Sequence, residues 1–126
     1  MKTSEIVLEF LQSQGFRPDV DSDNGNIVFK YQMATYLYIN NDEDKDFFQL
    51  AMPSICDVTE DNREIMLEAA NQVSGNMKVA KACIYGDSVW LMFEVLLDES
   101  PEVATIIERA LNILQGARHE FYENLK

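Results

Sequence analysis

The sequence predicts an α+β fold: one five-stranded antiparallel sheet with three helices packed mainly on one face. Three observations lead there. Apolar residues recur at helical spacing in three separate stretches, near the start, the middle and the end of the chain. Between them lie five short strand-like runs, joined by connections too short for parallel crossovers. The resulting order, α-β-β-β-α-β-β-α, leaves helices to cover one side of a single sheet. A chain of 126 residues with 47% hydrophobic content is the size of one domain, spanning 1–126, with a core that needs no disulfide or metal.

Thr3 is placed to cap the first helix, whose apolar stripe is Ile6, Val7, Phe10 and Leu11. Gly15 suits the left-handed position after the last turn, Phe16 can pack back on it, and Pro18 prevents continuation. Residues 19–26 are polar and contain the turn pair Asn24-Gly25. Strands are expected over Ile27 to Gln32 and Thr35 to Asn40, with a tight turn near Met33-Ala34 that lacks the usual Gly or Asn. A third strand runs from Phe47 to Ile55 and ends near Pro53.

The second helix starts at Thr59 or Asp61, where Asp61 and Glu64 have capping-box spacing, and ends at Gly75-Asn76. Its inward stripe reads Ile65, Ala69, Ala70 and Val73. Lys78 to Tyr85 and Ser88 to Leu97 form a hairpin around Gly86-Asp87. The second of these strands is apolar at nearly every position, as in a strand covered on both faces. Ser100-Pro101-Glu102 has the form of a helix start, and the last helix carries Val103, Ile106, Ile107, Ala110, Leu111, Leu114, Phe121 and Leu125.

Charge and motifs exclude several classes of function. With 22 acidic and 10 basic side chains, the net charge of -12 opposes binding to nucleic acid or to anionic lipid. Residues 1–14 lack the form of a secretory signal, and no run of apolar residues is long enough to span a membrane, so a cytoplasmic location is expected. Asp19, Asp21, Asp23 and Gly25 imitate the opening of an EF-hand loop, but the glycine position falls on Asn24 and the twelfth position on Lys30. Asp42, Glu43, Asp44 and Asp46 read as a solvated turn that includes Lys45. Cys56, Cys83 and the lone His119 lack zinc-site spacing, and none has the neighbours that would make it a nucleophile or general base, with Lys81 near Cys83 a partial exception. Phosphate-binding glycine motifs are absent. No catalytic residue, metal or cofactor is therefore expected.

The strands are richer in aromatic and sulfur side chains than one helix-covered face requires. Tyr36, Tyr38, Phe47, Trp90 and Met92 have the opposite parity to Leu37, Phe48, Leu50, Leu91 and Phe93. Those five are the candidate binding or dimer surface. Their face would be closed by a dimer mate or a bound peptide, unless the second helix and loops close it.

Several local signatures together resemble the YbjN-like domain family of bacteria, itself similar in fold to type III secretion chaperones. They are the helix end at Gly15-Phe16, the strand pair Ile27-Val28-Phe29 with Tyr36-Leu37-Tyr38-Ile39, and the acidic turn leading into Phe47-Phe48. Ala70-Asn71, Gly75-Asn76 before Met77-Lys78-Val79, and Val89-Trp90-Leu91-Met92-Phe93-Glu94 complete them, with Phe121 in the final helix. The resemblance implies a chaperone-like α+β fold, no known enzymatic activity, frequent dimers and a loosely defined regulatory role. It offers no catalytic residues to carry over. The expected function is a non-enzymatic, dimeric, chaperone-like regulatory module that binds an apolar, basic protein or peptide. The alternatives are a small-ligand sensor with a pocket between sheet and helices, and a structural homodimer without a client.

Overall fold

The computed structural model describes residues 2–41 and 43–126. Its elements are α1 (Thr3–Ser13), β1 (Asp19–Val20), β2 (Ile27–Tyr31), β3 (Ala34–Tyr38), β4 (Phe47–Asp57), α2 (Arg63–Asn76), β5 (Ala80–Tyr85), β6 (Ser88–Leu96) and α3 (Val103–Glu123). The strands form one antiparallel sheet in the order β1-β2-β3-β4-β6-β5. The sheet thus has six strands rather than the five read from sequence. The added strand, β1, lies in the polar 19–26 segment and pairs Asp19 with Val28 and Val20 with Ile27. Two residues carry too little periodicity to signal a strand. Its loop is shaped instead by side chains: Asp21 Oδ1 accepts the Asp23 N–H and Asn24 Oδ1 accepts the Asn26 N–H, both at 2.8 Å. The acids that imitate a calcium loop therefore build a turn.

The centre of the sheet is the long pairing of β4 with β6, from Phe47 opposite Leu96 to Asp57 opposite Ser88. The chain leaves β4, crosses through α2 to the edge strand β5, and returns through a hairpin to place β6 between them. β4 does not stop at Pro53 as expected. Ser54 takes φ 50°, the register shifts between Met52 and Cys56, and the strand continues to Asp57. Proline has no N–H for a ladder, so a bulge is where a strand can accommodate it.

One face of the sheet carries Phe29, Tyr36, Tyr38, Phe48, Leu50, Leu91 and Phe93, and all belong to the same buried cluster as Val7, Leu11, Val73, Ile107, Leu114 and Phe121 of the helices. Phe29 stacks on Tyr36 with centroids 5.4 Å apart, and Tyr38 meets Phe48 at 5.6 Å. The Tyr36 hydroxyl accepts a hydrogen bond from Gln115 Nε2 at 2.8 Å, which satisfies a polar atom deep in this layer.

The end of α1 follows the sequence, and the three helix starts depart from it. Gly15 has φ 87°, its N–H donates to the Gln12 carbonyl and the Phe16 N–H donates to the Leu11 carbonyl, the paired closure anticipated for α1. At the other end Lys2, not Thr3, is the cap residue. Before α2, Thr59 and Asn62 exchange hydrogen bonds, Asn62 Oδ1 accepting the Thr59 N–H at 2.7 Å and Thr59 Oγ1 accepting the Asn62 N–H at 3.3 Å. This reciprocal pair takes the place of the Asp61–Glu64 box. Within α2, Met66 is buried and Ile65 is 56% exposed, so the inward stripe takes Met66 in place of Ile65. α3 begins at Val103 after Glu102, not at Ser100, whose N–H is taken by the Asp98 side chain.

The β2–β3 turn is Gln32-Met33, one residue earlier than expected, with φ 47° and 65°. A two-residue hairpin with both central residues left-handed suits Asn-Gly, and neither residue here is of that kind. Met33→Gly or Gln32→Asn should each raise unfolding stability by roughly 0.5–1 kcal/mol, read as a higher urea midpoint at unchanged slope.

Burial pushes the Tyr36 phenol up to about 12 from 10.0, outweighing the Gln115 hydrogen bond, which acts in the opposite direction. The folded state then holds a proton that the unfolded chain releases. This contribution is intact below pH 10 and is lost as pH rises toward 12. Stability should fall over that range by roughly 1–3 kcal/mol from this group, and Tyr36→Phe should flatten the fall in denaturation midpoints measured against pH.

Candidate functional site

The second face of the sheet has no helix on it. Strand alternation and the observed register place Leu37 of β3, Phe47, Gln49 and Ala51 of β4, Trp90, Met92, Glu94 and Leu96 of β6, and Lys81, Cys83 and Tyr85 of β5 on this side. Ala51 and Met92 are buried there yet lie outside the helix-packed cluster.

What buries them is a lattice of side chains from the sheet itself. Gln49 Nε2 donates to Glu94 Oε2 at 2.7 Å and lies 3.5 Å from the Met92 Sδ. Glu94 Oε1 pairs with Lys81 Nζ at 2.5 Å. Asn41 Nδ2 reaches Gln49 Oε1 at 3.5 Å. The hydrogen bond to Glu94 raises the Lys81 pKa above its ordinary 10.5. Tyr85 lies against Trp90 with centroids 5.4 Å apart, and its hydroxyl is 4.0 Å from the Met92 Sδ. The Trp90 indole N–H donates to Ser88 Oγ at 3.1 Å, and that hydroxyl is 3.1 Å from Ser54 Oγ. The Tyr85 phenol is pushed up, first by its electrostatic interaction with the neighbouring Cys83 and then by burial.

The five sequence candidates are therefore split. Phe47, Trp90 and Met92 share the helix-free face, with Phe47 and Trp90 half-buried and Met92 closed over. Tyr36 and Tyr38 are buried on the opposite face, because β3 pairs Leu37 with Ala51 and Tyr38 with Leu50. Parity within each strand was legible. The offset between strands separated by residues 39–46 was not, and a slip of one residue exchanges the faces. Asp42 lies outside the described residues.

The sequence reading missed Tyr85 and Leu96, which are 49% and 74% exposed, and Val28 at 38% on the same side of β2. A signal for Tyr85 was available. A two-residue loop at Gly86-Asp87 sets Tyr85 opposite Ser88 and so brings it diagonally beside Trp90. The face is thus an aromatic pair at one end, a polar lattice at the centre, and Phe47, Leu37, Val28 and Leu96 at the other.

Among the described residues, no group of three or more His, Cys, Asp or Glu side chains could hold a metal ion. Cys56 and Cys83 are free thiols, both half-buried. His119 is exposed on α3. No described helix is long and apolar enough to cross a membrane.

No family model and no curated protein matches the sequence. Solved structures do match, in seven chains. One is YbjN of E. coli, a proposed transcription regulator, which superimposes with a TM-score of 0.75 over 95% of this chain and 89% of that one, at 5% sequence identity. The architecture is that of an α+β protein with a helix-free sheet face. More particularly, the chain has a YbjN-like fold.

Methionine oxidation should report the lattice. Met33, 98% exposed, should be oxidised by dilute peroxide well before Met92, which is 3% exposed. Glu94→Ala should speed Met92 oxidation several-fold relative to Met52, as followed by peptide mass mapping.

Proposed function

We propose that this protein is a non-enzymatic binding module with a regulatory role, and that its helix-free sheet face receives an apolar, basic segment of a protein partner. The observation that carries this reading is the face itself: a layer of strands with aromatic and aliphatic side chains at both ends and no helix over it. The net charge of -12 favours a basic partner and gives long-range attraction to it. The likeness to YbjN fits a regulatory role. With this charge, such regulation would act through proteins rather than by contact with DNA.

A second copy of the chain is the alternative occupant, meeting the same face about a two-fold axis. Leu96, 74% exposed beside Phe47, favours some apolar contact at that end.

Trp90 is the chain's one tryptophan, so its fluorescence reads this face alone. A Lys/Leu-rich amphipathic peptide should shift Trp90 emission, more strongly at low salt, and its Glu/Leu counterpart should not. Trp90→Phe combined with Leu96→Asp should weaken binding about tenfold, measured by peptide anisotropy. Binding that leaves the emission unmoved, or that ignores salt, rules the reading out. Light scattering separates the alternative: a dimer that Leu96→Asp converts to a 14.5 kDa monomer assigns the face to self-association.

A further inference from the structure

A second place in the sheet is left open, away from the lattice. β3 and β4 are in register only at Leu37–Ala51 and Tyr38–Leu50, and the Ile39 N–H donates to the Gln49 carbonyl just beyond. In the other direction the two strands part. Pro53 brings no N–H, and the left-handed Ser54 turns β4 aside. The result is a slot of about 200 Å³ between the strands, with Met33 and Thr35 on one wall, Ser54 and Ile55 on the other, and Arg118 and Tyr122 of α3 behind.

Arg118 is the anomaly, being half-buried where the other Lys and Arg residues are all exposed. Its guanidinium carbon lies 5.8 Å from the centroid of the Tyr122 ring, and Arg118 forms no ion pair and no side-chain hydrogen bond among the described residues. That ring is held in turn, because the Tyr122 hydroxyl donates to the Ile55 carbonyl. A planar, permanently charged fork therefore lines the slot with no hydrogen bond to occupy its donors.

We propose that this slot binds a carboxylate carried on a short apolar tail, presented either as the free C-terminal residue of an extended peptide or as a small carboxylic acid. The forked guanidinium matches the two carboxylate oxygens. A phosphate fits less well, since no second cation lines the slot to balance its further charge. Thr35 has no partner on β4 in the register, so the backbone of an incoming chain can add to that stretch of β3. Met33, exposed at the rim on a left-handed turn, gives a flexible apolar side chain for the tail. The volume suits one residue-sized group rather than a large ligand. The overall negative field repels a small free anion more than the end of a neutral or basic chain, so the peptide form should bind more tightly.

The test is a titration of the full ¹⁵N-labelled chain with three probes: a short peptide ending in a free leucine carboxylate, the same peptide amidated, and butyrate. Saturable shifts of the Thr35, Ile55 and Tyr122 amides are expected with the free-acid peptide, and smaller ones with butyrate. Amidation and Arg118→Gln should each weaken binding about tenfold or more, and Arg118→Lys less. Response to the peptide alone assigns the slot to chain ends, and response to butyrate alone assigns it to small acids; both support the proposal. No saturable shift with either acid overturns it, as does equal binding of the amidated peptide. Unchanged binding by a folded Arg118→Gln protein overturns it as well. Should Arg118→Gln fail to fold, Arg118→Lys and the amidated peptide decide. Trp90 emission is the readout of the other face, so failure of one site is distinguishable from failure of the other.

Discussion

The pairing of β4 with β6 is the constraint from which the rest of the molecule follows. It runs nearly the length of both strands and sits at the middle of the sheet. Side chains alternate along a strand, so this one register decides which residues meet the helices and which do not. With Leu50 opposite Phe93 and Met52 opposite Leu91, the large apolar side chains of both strands fall on the side that α1, α2 and α3 cover. Gln49 opposite Glu94 and Ala51 opposite Met92 fall on the other. β3 joins through Tyr38 opposite Leu50, and Tyr36 and Tyr38 go to the helices with it.

The two faces then exclude water by different means. On one, three helices supply Val7, Leu11, Val73, Ile107, Leu114 and Phe121. On the other, polar groups from three neighbouring strands close over a sulfur and a methyl group, with Lys81, Gln49 and Glu94 joined by short contacts. The lattice holds a two-sided strand in water without a second helical layer, and it leaves apolar side chains only at the margins, where Tyr85 and Leu96 stand out. The edge beyond β5 is managed similarly. Ser74 Oγ of α2 accepts the Ala82 N–H at 2.9 Å and lies 3.3 Å from the Ala82 carbonyl oxygen, occupying backbone groups that another strand would otherwise use.

Three of the four left-handed non-glycine residues, Gln32 and Met33 in the β2–β3 turn and Ser54 in β4, border the slot in front of Arg118 or adjoin it, and the fourth, Val79, precedes β5. Left-handed backbone at such residues persists only where the surrounding structure imposes it. Here the β2–β3 register imposes it at one wall, and the bulge that restores β4 to β6 imposes it at the other.

The sequence by itself determined the α+β class, the element order around the hairpins, the closure of α1 at Gly15 and the apolar stripes of α1 and α3. These depend on contacts within a few residues, or on a periodicity that one segment carries alone. It could not count β1, whose two residues become a strand only by pairing with β2. Nor could it see that Thr59 and Asn62 would pair ahead of α2. Only the tertiary structure decided that Tyr36 and Tyr38 turn inward while Trp90 turns outward, and that Arg118 ends in a slot without an acid. Both outcomes hang on the offset between strands distant in sequence. That offset is chosen by the packing of the whole layer, and no local run of residues encodes it.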